Sequence, residues 1–314
     1  MINYSIFYAL LLLMAGFCVT SSASDKSLSA ELASPFGVND TLGAINVLGA
    51  DDVLRAIKTV SQGQVHSLAL ATTVDTPAYD DRSYAITVTA SDQPAGSNQA
   101  TGLDDKVHSH MGIGTQIDGL GHVGINFVHY NGIHLDEFFT EHGITKFAVS
   151  DIPPIATRGV LLDMARYFSV DVVPAGTAFN KQVITRALQQ QGILLQAGDV
   201  VIFHSNWNTL LKTDPEAWLL SHPGLSEEGA DYLAAQGVVA IGSDTAALEV
   251  IPHQKPDTVM PVHQLLLVKH GVYIIEGLNT AQLAEQQVSE FMFVLGVPKL
   301  QGAVQAIVHP VAIY

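Results

Sequence analysis

The sequence predicts a single α/β domain built on a mixed β-sheet with flanking helices. Three observations carry this expectation. Short apolar runs rich in β-branched residues, such as 159–163 and 200–204, have the character of buried strands. Amphipathic stretches with cap residues lie between such runs. Toward the C-terminus several strand-like runs follow one another directly, which points to a mixed sheet and not a purely parallel one. With 314 residues, 48% hydrophobic and 14% charged, the chain has enough apolar material for one ordered domain, expected over 25–314.

Taken in order, Asp51 and Asp52 open a helical pattern with Val53, Leu54, Ile57 and Val60 on one face and Gly63 as its stop. Residues 65–70 and 84–89 read as strands. The polar, turn-rich stretches 72–81 and 91–105 read as loops. The 159–163 and 200–204 runs read as buried strands, with a helix over 181–191 between them that stops at Gly192. Ser226 caps a further helix, with Glu227 and Glu228 in its first turn and Gly237 just past its end. Strand-like runs at 238–241, 272–275, 291–295 and 304–308 complete the chain.

Thirty acidic and fourteen basic side chains leave a net charge of −16, which argues against nucleic acid or an anionic lipid surface as a partner. One cysteine excludes an internal disulfide, a Cys-rich zinc site and a CxxC redox pair. Residues 6–19 form an apolar run followed by small polar residues. The run is short for a membrane span, and the reading is a secretory signal peptide over 1–24, with a retained anchor as the alternative. Cleavage near Ser24 would remove Cys18. The mature protein, exported to the periplasm or the medium, would then ligate metals through His, Asp, Glu and Gln only.

The densest polar stretch is HSHMGIGTQIDGLGHVGINFVHYNGIH, from His108 to His134, with five of the thirteen histidines: His108, His110, His122, His129 and His134. Its glycines allow tight backbone paths on which side chains converge. Asp118 and His122 stand four apart and can reach one centre, on a helix or in a loop. A carboxylate and a neutral imidazole suit zinc or manganese; the alternative is polar residues that only stabilise a loop. Gly112-Ile113-Gly114 starts like a dinucleotide fingerprint but has Ile117 at the third glycine position. Gly224-Leu225-Ser226 starts like a nucleophile elbow but has Glu228 at the closing glycine, so Ser226 reads as a helix cap.

GTQIDGLGH, from Gly114 to His122, resembles the HxGTHxDxPxH signature of the cyclase-like metal-dependent hydrolases, which include bacterial kynurenine formamidases and isatin hydrolases. Segments 35–48, 158–167, 198–207, 222–245, 263–278 and 291–313 are similar to the family in the same order, so the resemblance spans nearly the whole mature chain. It implies the swivelling β/β/α fold and a homo-oligomer, commonly a dimer or tetramer.

The resemblance also implies a site. In the signature the first His, the His after GT and the Asp bind a divalent metal. Here those positions hold Gly112, Gln116 and Asp118, and a branch of the family carries GTQ. The signature's last His, an acid or base in relatives, is His122. The family's later metal-site His and Glu match His263 and Glu276. A Gln oxygen is a weaker zinc ligand than imidazole, and His110, two residues before Gly112, is a further candidate ligand. The cofactor expected is a divalent metal, manganese or zinc.

For the substrate pocket, His129 and Tyr130 follow the signature, and His204 ends the 200–204 strand. Phe127 and Trp207 are candidates for an aromatic wall, with core packing as the alternative. His66 is placed in a strand and His142 near a helix end, neither with a role. The expected activity is hydrolysis of a C–N or C–O bond in a small cyclic amide, lactone or N-acyl compound. The alternatives are a secreted binding protein without turnover, and a metal-independent hydrolase or lyase.

Overall fold

A computed structural model describes residues 28–314, so the expected signal segment lies outside the described residues. Nine strands form one curled sheet. In spatial order they are Val65–Ser67, Val311–Ile313, Glu290–Leu295, Ile155–Asp163, Val200–His204, Ala240–Ser243, Tyr273–Glu276, Gln116–Asp118 and Gln305–Ile307. The four from Ile155–Asp163 to Tyr273–Glu276 are mutually parallel, and every other pairing is antiparallel. The mixed sheet expected from the sequence is thus present. Its parallel centre is buried on both faces, as crossover helices require: Val200, Val201, Ile202 and Phe203 are fully covered.

The crossover helices begin and end where local chemistry dictates. Asn180 accepts the Val183 N–H at 3.0 Å to start Lys181–Gln191, and Gly192, at φ 70°, ends it. Ser226 accepts the Gly229 N–H at 3.1 Å to start Glu227–Ala235. The helix Ala50–Ile57 ends before Val60, because residues 58–60 continue only as single turns. Among the described residues no helix is long and apolar enough to cross a membrane.

Several local expectations are corrected. The strand at Val65 stops at Ser67; beyond it Leu68 and Ala69 keep single contacts with Pro310, Asn279 and Leu278 but form no further ladder. The stretch 91–105 is not loop throughout. Leu103–Ser109 pairs antiparallel with Tyr84–Ala90 in a two-stranded ribbon, a non-local pairing that polar composition conceals. The glycine-rich segment 108–134 is not one loop either. Gln116–Asp118 is a strand because it gains neighbours on both sides, Tyr273–Glu276 and Gln305–Ile307. His142 lies in the turn of a short hairpin, Phe139–Thr140 with Gly143–Ile144, and not near a helix end. His66 does sit in a strand, its Nε2 3.1 Å from the Asn279 carbonyl oxygen.

The register of those last strands positions the site. Asp118 stands between Ile274 and Gln305, and Gln116 between Glu276 and Ile307. Side chains alternate along a strand, so Gln116, Asp118, Glu276 and Gln305 share one face. Ile117, Ile275 and Ala306 share the other, fully buried in the core.

Candidate metal centre

Three side chains converge on that polar face. Asp118, His263 and Glu276 are buried, and each offers a ligand atom within 4.8 Å of the others. His263 Nε2 lies 3.4 Å from Asp118 Oδ2 and 3.2 Å from Glu276 Oε1. His263 arrives from the short helical turn Pro261–His263, which runs directly into a π-helix over Gln264–His270. π-helical turns are rare and recur at functional sites.

Each of the three is held by a second group. Glu249, buried in the loop after Ala240–Ser243, accepts a short hydrogen bond from His263 Nδ1 and also faces the Val262 N–H at 3.3 Å. A carboxylate only accepts, so this bond places the proton on Nδ1 and turns Nε2 toward Asp118 and Glu276. Gln305 Nε2 donates to Asp118 Oδ1 at 2.7 Å. Gln116 Nε2 donates to Glu276 Oε2 at 2.7 Å, and the Leu248 N–H donates to Glu276 Oε1 at 3.0 Å.

The electrostatics are those of a cation site. Three carboxylates face one imidazole. Burial opposes the imidazolium, yet Asp118, Glu249 and Glu276 outweigh it and hold the His263 pKa well above the usual histidine value. Burial raises the Glu276 pKa, and the Asp118 charge raises it further. Asp118 itself is lowered, because His122, His263 and Gln305 together outweigh its burial. Even with His263 charged, the cluster carries surplus negative charge in a buried place. Asp118 Oδ2 is buried without a hydrogen-bond partner. A buried, orphaned carboxylate oxygen beside an imidazole nitrogen and a second carboxylate matches the ligand preferences of a divalent cation. The donor set therefore fits the metal that the sequence implied.

His122 follows Asp118 by one tight turn, its N–H donating to the Gly119 carbonyl at 3.0 Å. Its ring meets that of His263 edge-on, with centroids 6.3 Å apart. Burial lowers its pKa; the Asp118 carboxylate opposes this, while His263 and Arg82 add to the lowering. A neutral imidazole beside a cation site is an available proton acceptor.

The remaining candidates separate. Gln116 touches the centre through Glu276. His110 is exposed, its Nδ1 accepting the Ser83 N–H at 3.0 Å, outside the convergent trio. His129 is buried edge-on against Phe138, centroids 4.9 Å apart, and burial takes its pKa down to about 4. Tyr130 is a core residue whose hydroxyl bonds Asp40 and Ser34. His204 is buried, its Nδ1 2.7 Å from Thr280 Oγ1 and 3.5 Å from Asp244 Oδ2. Trp207 is buried and donates Nε1–H to the Trp218 carbonyl. Phe127 is 65% exposed at a positive φ and leans on His134.

Sequence reasoning missed Glu249, Gln305, Tyr79 and Arg82. The first two hold ligands, as described. Tyr79 has a buried hydroxyl without a hydrogen-bond partner, and burial together with the charges of Glu276 and Glu249 pushes its pKa far up. Arg82 donates to the Gly112 carbonyl at 2.8 Å. A Cβ on Gly112 would come within 2.8 Å of Arg82 and 2.6 Å of Gln305. The space of the signature's first histidine is thus filled by these two side chains. Beside them opens a cleft of about 610 Å³, lined by Arg82, His110, Gly112 and Gln305 among others. None of the missed residues lies in a run with local periodicity; only the alternation around Gln305-Ala306-Ile307 signals a polar residue facing inward.

A family model, Cyclase (described as "Putative cyclase"), matches residues 35–250. The structure of a novel cyclase superposes with a TM-score of 0.81 at 23% identity, covering 89% of this chain and 96% of that one. Isatin hydrolase A from Ralstonia solanacearum superposes at 0.59 and 16% identity, covering 79% and 91%. A predicted metal-dependent hydrolase from Bacillus stearothermophilus does so at 0.53 and 19%, covering 79% and 97%. At these identities the structural likeness shows the fold. No curated protein matches the chain.

Proposed function

The chain belongs to the cyclase family, and from that premise we propose that it is a metal-dependent hydrolase of a small acyl compound: a cyclic amide, a lactone or an N-acyl amine. The observation that carries the reading is the orphaned Asp118 Oδ2 beside His263 Nε2 and Glu276. Structural neighbours described as isatin hydrolase and metal-dependent hydrolase support it.

Asp118, His263 and Glu276 would hold the cation, manganese or zinc. When bound, such an ion supplies Lewis acidity toward a carbonyl and acidifies water. Glu249 keeps the His263 Nδ1 proton away from the centre, so that Nε2 offers a lone pair. Gln305 and Gln116 fix the rotamers of the two carboxylates. His122, neutral at physiological pH, takes the proton from the attacking water and delivers it to the leaving nitrogen or oxygen. Water's oxygen thereby ends in the product carboxylate as the C–N or C–O bond breaks. Export and self-association belong to the same proposal; the apolar run 6–19 supports the first, and the family resemblance the second.

The test is metal analysis of the purified protein with hydrolysis assays on a panel of cyclic amides, lactones and N-acyl compounds. Turnover that a chelator abolishes and manganese or zinc restores is the expected result. Turnover indifferent to chelator overturns the metal-dependent reading. Binding without turnover across the panel identifies a binding protein instead.

A further inference from the structure

The turn 79–82 carries features that metal holding does not use. The Arg82 N–H donates to the Tyr79 carbonyl at 3.2 Å, and Asp80 takes φ 56° to close the turn. This leaves Asp80 and Asp81 exposed and sends Tyr79 and Arg82 toward the centre. Arg82 is anchored by one bond, Nη1 to the Gly112 carbonyl. Its neighbour across the Gly112 Cα is Gln305, which bonds Asp118 directly, so the guanidinium stands one side chain from the cation site. Arg82 forms no ion pair with any described residue, in a chain with thirty carboxylates and fourteen basic side chains. The 610 Å³ cleft at whose edge Arg82 stands also carries Asp80, Asp81 and Glu141, yet none of these pairs with the arginine, which keeps donors to spare for a ligand. The buried, partnerless Tyr79 hydroxyl is a second unused donor on the same turn.

We infer that the turn 79–82 selects the substrate, and that the substrate bears a carboxylate beside its scissile acyl group. The guanidinium of Arg82 pairs with that carboxylate, and the Tyr79 hydroxyl donates to an uncharged oxygen of the same molecule. This deepens the hydrolase reading, on which the term scissile rests.

The experiment measures binding, without turnover, to the full chain stripped of metal by chelator, so that no cation competes for the carboxylate. The probes are hippurate, an N-acyl compound with a free carboxylate, and its uncharged analogue hippuramide. Wild-type protein is expected to bind hippurate about ten-fold or more tightly than hippuramide, the scale of a charge-assisted contact. Arg82→Met should erase that preference and Arg82→Lys should keep part of it, since Lys retains the charge but not the fork. Tyr79→Phe should weaken both probes equally. Circular dichroism and manganese titration verify that each variant is folded with its cation site intact. Equal binding of both probes by wild type, binding of neither, or an unchanged preference in Arg82→Met overturns the inference. A charge preference with no turnover of any acyl compound would instead overturn the hydrolase reading and leave carboxylate recognition standing. If turnover favours uncharged substrates and Arg82→Met relieves only product inhibition, the arginine serves the product and the substrate class is wrong.

Discussion

His263 Nδ1 donates a hydrogen bond to Glu249, fourteen residues upstream, and this single bond decides what its other nitrogen can do. With Nδ1 committed, Nε2 faces Asp118 and Glu276. An unsupported imidazole would rotate between tautomers and orientations; the buried carboxylate removes that freedom. Glu249→Ala is expected to lower divalent-metal affinity by about 10- to 100-fold, with the far-ultraviolet circular dichroism unchanged. Glu249→Gln should fall between. Titration with manganese or zinc against a competing chelator measures both, and wild-type affinity in the alanine variant would remove Glu249 from the centre.

His122 stands edge-on against His263, outside the convergent group of Asp118, His263 and Glu276. Its role as proton carrier separates from metal holding. His122→Gln should leave metal content unchanged and reduce kcat by about 10²- to 10⁴-fold on any substrate found. A variant with full activity, or one that loses its metal, contradicts that assignment.

Acid should destabilise the protein through His222. It is fully buried, and burial lowers its pKa to about 4, with a bond to the Pro223 carbonyl and the Glu249 charge only partly opposing. In the unfolded chain the value is about 6.5. The folded value is the lower one, so the unfolded chain takes the proton first as pH falls. The stability contribution is complete above about pH 6.5, shrinks between 6.5 and 4, and is gone below 4. The slope from this group is at most about 1.4 kcal/mol per pH unit. Urea denaturation at pH 7 and pH 4.5 checks it. His222→Asn, which keeps a side-chain donor but does not titrate, should lose less stability on acidification than wild type.

Gly159 sits opposite Phe291 where Glu290–Leu295 pairs antiparallel with Ile155–Asp163, and a Cβ there would overlap the phenyl ring. The ring covers the glycine and fills its place in the core. Gly159→Ala should cost about 1–3 kcal/mol by overpacking. The double variant with Phe291→Leu should recover part of the loss, a coupling that a double-mutant cycle by urea denaturation reads out. Additive losses would show that the two positions do not share space.

The sequence by itself determined the α/β class, the 181–191 and 227–235 helices with their caps, and the 200–204 strand; the family resemblance named Asp118, His263 and Glu276, which the structure brings together, alongside Gln116, His110 and His122. Those features are local. A cap needs its partner three residues away, a buried strand is a continuous apolar run, and Asp118 and His122 fall in one short segment, while His263 and Glu276 come from a second segment read by resemblance. Only the tertiary structure decided which polar side chains meet. Gln116–Asp118 is a strand solely because two distant strands flank it. Glu249, Gln305, Tyr79 and Arg82 reach the centre from a loop, an edge strand and a turn far apart in the chain. A lone polar residue in such a place has no periodicity to betray it, because its partners are set by chain closure and not by spacing. The same physics drew Tyr130 and Trp207 into the core, where each found a nearby acceptor for its one polar group.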